Sequence, residues 1–324
     1  MNKTLLVGIL PTLMLLTGAC GSKSGQENSD ANTCESKVLT VSIEPQRQIL
    51  EQLAGPSYTV KTMLSRGSNP ETFDPSTGDR LAADKSAIYF ATGVLPFEER
   101  LESSIKAEYV NTGAGINYIY GTHSHHHGHD GMHKGHADDG HGHESHEHHD
   151  HECNHEGHES HEHDGAPDPH YWSSVDGART IAHNMATALI KHTPDSAAVI
   201  NARLDRLMSH YDSLSTELDS ILTPLQGTTF AVWHPSLSYF ARDYGMTQLS
   251  LGTEGKELSA KMLREAIDKA RAAGVKVLFF QQEYDSRQAE PLSNGIGARL
   301  VTINPLDYDW EGQLKLVADE IARP

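Results

Sequence analysis

The chain has 324 residues, a formal net charge of −18 and 22 histidines. An acidic chain without a cluster of Lys and Arg is not typical of nucleic-acid-binding proteins, because phosphate backbones attract basic surfaces. More than half of the net charge comes from residues 123–164, which contain 11 Asp or Glu residues and one Lys. The three cysteines are too few to indicate a disulfide framework.

The first residues have the pattern of an export signal. Lys3 is followed by an apolar run at residues 5–16, which is too short to cross a bilayer. The stretch LTGAC, residues 16–20, resembles the lipobox of bacterial lipoproteins. We predict a signal peptide at residues 1–19 and lipidation of Cys20, with an ordinary signal peptide as the alternative. The polar residues 20–36 are then a flexible tether, and the protein is expected in the cell envelope, on the periplasmic or outer side of a bacterial membrane.

Strands and helices alternate along the rest of the chain, which predicts an α/β protein. In the first part, strands are predicted at residues 38–43, 58–64 and 87–93, and helices at 45–54, 76–85, 96–107 and 174–192. A long helix is predicted at 195–222, because its apolar residues recur every three or four positions. Beyond it, the predicted strands are 228–233, 246–251, 275–280 and 298–303, and the predicted helices are 237–245, 258–274, 286–295 and 309–323. This order predicts two α/β lobes, residues 37–190 and 225–324, joined by a linker helix within residues 191–224.

A low-complexity segment, residues 121–166, interrupts the first lobe and holds 17 of the 22 histidines. It has almost no apolar residues, so it cannot bury a core and is expected to be a disordered loop in the absence of metal. Imidazoles among carboxylates suit Zn²⁺, Ni²⁺ and Cu²⁺, although a solvated loop without a metal role is the alternative. The histidines expected to bind metal weakly here are His123, His125, His126, His127, His129, His141, His143, His146, His148, His149 and His151.

A selective site needs ligands that a scaffold holds in place. Open α/β sheets bind ligands outside the carboxyl ends of their strands. Residues with suitable side chains stand at such strand ends or beside helix starts, and these are Glu71, His170, His234 and Asn304. Each residue taken alone could be a turn or packing residue. Two such residues in each predicted half of the chain favour a binding site.

The motifs around these residues resemble those of the ZnuA-like metal-binding proteins of zinc and manganese ABC importers, the cluster A-I solute-binding proteins. GSNPETFDP, residues 67–75, is similar to the first family motif, and DPHYW, residues 168–172, to the second. A histidine at a strand end, His234, precedes the aromatic stretch SLSYFARDYG, as in the third motif. The His-rich loop directly before DPH resembles that of zinc-specific members. The similarity covers nearly all of residues 37–324.

The resemblance implies two Rossmann-like lobes with parallel sheets and a metal in the cleft between them. Its ligands would be Glu71, His170 and His234, with Glu71 in place of the family's first histidine. Asn304 replaces the usual aspartate, so the fourth ligand could be water, Asn304, a loop histidine or Glu283. A carboxylate ligand also keeps Mn²⁺ open as an alternative to Zn²⁺.

We therefore interpret the chain as a monomeric, lipid-anchored receptor that captures Zn²⁺ and delivers it to a membrane permease, and not as an enzyme. One alternative is a zinc-dependent hydrolase, since three protein ligands and a water are typical of catalytic zinc. Against this alternative, no general base can be placed beside the three residues from the sequence, and the HExxH match at residues 151–155 lies within the low-complexity His-rich segment. The other alternative is a surface metal buffer or adhesin, in which the His-rich segment carries the whole function.

Overall fold

The computed structural model describes residues 37–121, 165–252, 257–284 and 286–324. The predicted signal peptide, the lipidation site Cys20, the tether and the loop histidines between residues 123 and 163 lie outside these ranges. Those assignments stay predictions. A search of the described residues finds no helix that combines the length and the apolar character needed to span a bilayer.

The first lobe is built on a four-stranded parallel sheet. Its strands, in the spatial order β2-β1-β3-β4, are β1 (Lys37–Val41), β2 (Tyr58–Thr62), β3 (Ile88–Ala91) and β4 (Glu108–Asn111). Its helices are α1 (Glu44–Ala54), α2 (Thr77–Ala83), α3 (Pro96–Glu102) and α4 (Val175–His192). Every residue of β3 is buried, as expected for a central parallel strand that is covered on both faces.

Strand β4 was not predicted from the sequence. It is an edge strand of four residues, of which three are half-buried and the last is exposed. Such a short edge strand has neither a continuous apolar run nor a clear alternation of apolar and polar residues, so its pattern is that of a loop.

A single long helix, α5 (Ala197–Leu222), connects the two halves of the chain and lies inside the stretch predicted to join them. It packs against α4 and α1 of the first lobe. Its buried residues form one stripe along the helix, as the apolar periodicity predicts, and they are Ile200, Leu207, Tyr211, Leu214, Leu218 and Leu222.

The second lobe repeats the architecture of the first. Its parallel strands lie in the order β6-β5-β7-β8, and they are β5 (Thr229–Val232), β6 (Thr247–Ser250), β7 (Val277–Gln281) and β8 (Arg299–Ile303). Its helices are α6 (Ser238–Asp243), α7 (Ala260–Ala272), α8 (Ala289–Ile296) and α9 (Trp310–Ala322). The predicted fold, two parallel α/β lobes with a long helical linker, is confirmed.

Two apolar clusters hold these layers together. The larger one runs without interruption from the first sheet through α4 and α5 to one face of the second sheet and α9. The smaller one covers the opposite face of the second sheet, under α7 and α8. Because the larger cluster includes residues from both lobes, apolar burial limits how far the lobes separate.

Candidate metal centre

Glu71, His170 and His234 come together between the lobes. Each offers one ligand atom, and these three atoms lie within 4.8 Å of one another. The Nε2 atom of His234 is 3.4 Å from Oε1 of Glu71, and the centroids of the two imidazole rings are 5.1 Å apart. Both histidines are buried, and the Glu71 side chain is only 17% exposed. A carboxylate and two imidazoles in this arrangement can hold a divalent cation such as Zn²⁺.

Glu71 lies in the loop between β2 and α2. Its backbone N–H donates to the Oδ1 atom of Asn69 at 2.8 Å, a bond across one residue that bends the loop locally. Further along the loop, Phe73 packs edge-on against Phe97 of α3, with ring centroids 5.2 Å apart. The first contact shapes the loop and the second attaches it to α3 of the first lobe, and together they position the carboxylate.

His170 is oriented by Asp168, a residue that lies within the recognised motif but to which the sequence analysis assigned no role. The Oδ1 atom of Asp168 accepts from both the backbone N–H and the Nδ1 atom of His170, each at 2.9 Å. Asp168 is fully buried. An ionised carboxylate only accepts hydrogen bonds, so Nδ1 carries the proton and Nε2 keeps its lone pair for a cation.

The segment around His170 is attached to both lobes. The hydroxyl of Tyr171 donates to the carbonyl of Thr92 at 2.8 Å in the first lobe. The indole Nε1 of Trp172 donates to the carbonyl of Pro305 at 3.1 Å in the second lobe. Both aromatic side chains are buried, so the imidazole of His170 is held in a rigid frame.

His234 follows β5, where Gln281, the last residue of β7, holds its backbone. The side-chain oxygen of Gln281 accepts from the N–H of His234 at 3.2 Å, and its Nε2 donates to the carbonyl of His234 at 2.7 Å. Gln281 is fully buried. The ring of Tyr284 stacks on the His234 imidazole, with centroids 5.2 Å apart and ring planes 27° apart. Neither supporting residue was identified from the sequence, where the only signal of each is a position shortly after the predicted strand 275–280.

The two other candidate ligands, Glu283 and Asn304, line a polar cleft of about 220 Å³ between the lobes. Burial raises the pKa of the Glu283 carboxyl. The amide of Asn304 is used in a local turn. Its Oδ1 accepts from the N–H of Leu306 at 3.2 Å, and its Nδ2 donates to Asp307 at 3.0 Å. Glu283 does not belong to the group of three side chains whose ligand atoms lie within 4.8 Å of one another.

Comparison with known proteins gives a family and a fold. The family model of ZnuA, described as zinc-uptake complex component A, periplasmic, matches residues 39–321. The chain is 24% identical over 307 residues to the high-affinity zinc uptake system protein ZnuA of Bacillus subtilis, covering 92% of this chain and 87% of the relative. It is 23% identical over 294 residues to the zinc-binding protein AdcA of Streptococcus pyogenes. That match covers 87% of this chain but only 53% of the relative, so the chain spans about half the length of that protein.

A crystal structure of ZnuA has the same fold. It superimposes with a TM-score of 0.71 at 26% sequence identity, over 89% of this chain and 98% of that one. The family match includes both lobes and all three residues of the centre, Glu71, His170 and His234. The chain therefore belongs to the family of ZnuA, the periplasmic component A of zinc-uptake complexes.

Proposed function

We propose that this protein is the zinc receptor of an ABC importer, which captures Zn²⁺ between its lobes and delivers it to a membrane permease. The observation that carries the proposal is the convergence of Glu71, His170 and His234 between the two lobes. Relatives named for zinc binding and high-affinity zinc uptake support the choice of metal. A cation that is bound by residues of both lobes stabilises the form in which the lobes lie close together. When the lobes move apart, the cation loses ligands and is released.

The donor set favours Zn²⁺, since two imidazole nitrogens and one carboxylate oxygen are common zinc ligands. The carboxylate of Glu71 keeps Mn²⁺ as the second candidate, because harder oxygen ligands suit that ion. For the fourth position we propose water or the Glu283 carboxylate. Asn304 is a weaker candidate, because its amide oxygen already accepts a hydrogen bond within its own turn.

A receptor is a better proposal than a hydrolase. A catalytic zinc needs an open coordination position, a bound water and a general base beside it, and Glu283 is the acidic side chain that could take the last role. The relatives, however, are named for metal binding and uptake and not for a reaction. The zinc-loaded protein is expected to show no turnover of ester or peptide substrates, and measurable zinc-dependent turnover would favour the hydrolase.

We further propose that the receptor is a monomer attached to the membrane through a lipid on Cys20. The His-rich loop would collect metal for the site between the lobes, since its many weak sites raise the local metal concentration. The proposed lipid anchor rests on the lipobox-like stretch at residues 16–20. The proposed role of the loop rests on the 17 histidines between residues 123 and 163.

Deletion of residues 123–163 is expected to remove several weak zinc sites and to leave one tight site. The tight site remains because its three ligands lie outside the deleted segment. Calorimetric titration of the full and deleted proteins, with Zn²⁺ and Mn²⁺ in competition, measures both stoichiometry and metal preference. An unchanged stoichiometry would contradict the loop's role as a metal collector. Loss of all tight binding would contradict the proposed receptor and favour a metal buffer.

Replacement of Asp168 by asparagine is expected to weaken zinc binding about 10-fold. Partners that orient a ligating histidine typically contribute 10–100-fold in metal affinity, and the asparagine keeps the shape of the side chain but not its charge. Affinity is measured by competition with a chelator of known affinity. The matched control is Asp176→Asn, an aspartate on α4 whose side chain is 76% exposed. Equal affinities of Asp168→Asn and the parent would rule out the orienting role.

A further inference from the structure

We propose that Asn69 and Tyr284 form a brace across the cleft that positions two metal ligands from opposite lobes without touching the metal. Asn69 belongs to the loop of the first lobe that contains Glu71. Tyr284 follows β7 in the second lobe, where its ring lies against His234. The inference rests on the proposed function, because it assigns a role in metal capture to residues outside the ligand set.

Three contacts connect the two ligands through these side chains. The Oδ1 atom of Asn69 accepts from the backbone N–H of Glu71 at 2.8 Å. The Nδ2 atom of the same side chain donates to the hydroxyl of Tyr284 at 3.1 Å. The Tyr284 ring stacks on the His234 imidazole at 5.2 Å between centroids. A continuous path therefore runs from Glu71 through Asn69 and Tyr284 to His234.

The hydrogen bond between Asn69 and Tyr284 is sensitive to the distance between the lobes. At 3.1 Å it is near its ordinary length, and such bonds lose most of their strength beyond about 3.5 Å. The spacing that permits this bond also brings Nε2 of His234 to 3.4 Å from Oε1 of Glu71. The brace thus stabilises the lobe spacing in which the carboxylate and the imidazole can share one cation.

A brace of this kind acts through preorganisation. If only a fraction of the protein is in the binding-competent form, the apparent affinity is reduced in proportion to that fraction. Contacts that favour this form therefore raise the affinity. The stacked phenol ring also restricts rotation of the His234 side chain, which leaves less conformational freedom to be lost when the metal binds. Asn69 and Tyr284 are therefore positioning residues.

Replacement of Tyr284 by phenylalanine removes the hydroxyl and keeps the ring. We expect zinc affinity to fall about 3- to 10-fold, the usual range for one hydrogen bond. Asn69→Ala should weaken binding at least as much, because it removes both bonds of the asparagine. The double variant should be no weaker than Asn69→Ala, since the two residues share one bond. Tyr109→Phe, on the edge strand β4 of the first lobe, is the matched control, and its affinity should equal that of the parent.

Two further readouts separate positioning from coordination and from folding. The visible spectrum of the Co²⁺-loaded protein should keep its shape in Tyr284→Phe, while Glu71→Gln should change it through the altered ligand. In the metal-free protein, the Glu71 amide should exchange hydrogen faster in both brace variants than in Tyr109→Phe. Asn69→Ala removes the acceptor of this amide, and Tyr284→Phe leaves the acceptor less firmly held.

The outcomes are distinct. Parent-like affinity and parent-like Glu71 exchange in Tyr284→Phe would overturn the brace, as would strictly additive losses in the double variant. A changed Co²⁺ spectrum in Tyr284→Phe would also overturn it, since the tyrosine would then contact the metal. A parent protein without a tight zinc site would refute the proposed function, while the exchange of the Glu71 amide in metal-free protein would still test the brace.

Discussion

Replacement of His170 or His234 by alanine is expected to weaken the tightest zinc site by about 10-fold or more. Each substitution removes one of three protein ligands, and loss of a ligand costs at least as much as the 10–100-fold lost when a supporting partner is removed. The two side chains come from different parts of the chain and are both buried at the centre. The remaining imidazole therefore cannot take the place of the removed one by a small movement.

Calorimetry or chelator competition on metal-free protein measures the effect, and thermal unfolding without metal shows whether each variant is folded. His183→Ala is the matched control, because His183 is an exposed histidine on α4 and its loss should leave the tight site intact. If both His170→Ala and His234→Ala bound Zn²⁺ as tightly as the parent, the assignment of the site would be wrong.

Zinc affinity is also expected to fall by roughly 100-fold between pH 7.5 and pH 5.5. Imidazoles bind metal only when neutral, and histidine in water titrates near ~6.5. Protons compete with the cation for both imidazoles, so binding is expected to weaken on acidification. A carboxylate ligand titrates near ~4.3 and should add little within this range. With two imidazoles, the loss approaches two protons per metal at the acidic end.

The test is a set of zinc titrations at pH 7.5, 6.5 and 5.5 on the full protein and on the protein without residues 123–163. The weak sites assigned to the loop should empty first on acidification, because they have less binding free energy to oppose proton binding. The loop-deleted protein isolates the tight site. An affinity that did not change across this pH range would exclude histidines as the ligands. Carboxylates such as Glu71 and Glu283 would then be the candidates.

Much of the fold follows from local pattern. Apolar runs bounded by turn residues predicted seven of the eight strands that the described residues contain, because buried parallel strands read as apolar stretches. The missed strand, β4, lies at the sheet edge, where a polar and half-buried stretch has no such signal. The apolar stripe of α5 could be predicted in the same way, because residues on one face of a helix recur every three to four positions.

The three residues of the centre could be chosen from the sequence for a related reason. Glu71 follows β2 of the first sheet and His234 follows β5 of the second, and open parallel sheets bind ligands outside the carboxyl ends of their strands. His170 was chosen because it stands just before a predicted helix, and the motif DPHYW at residues 168–172 supported the choice. The fourth position could not be chosen, because Asn304 and Glu283 both follow strands of the second lobe. Only the turn that uses the amide of Asn304 distinguishes them.

The sequence by itself determined the class of fold, the two-lobed organisation and the side-chain types of the candidate centre, because apolar strand runs, helix periodicity and strand-end residues are local properties of the chain. Tertiary structure alone decided what orients those ligands. Asp168 beneath His170, Gln281 behind His234, and the contact of Tyr284 with Asn69 each depend on how loops and lobes approach one another. That approach is set by an apolar core shared between the lobes. The core is made of many residues that are far apart in the sequence, so no single position of the sequence reveals it.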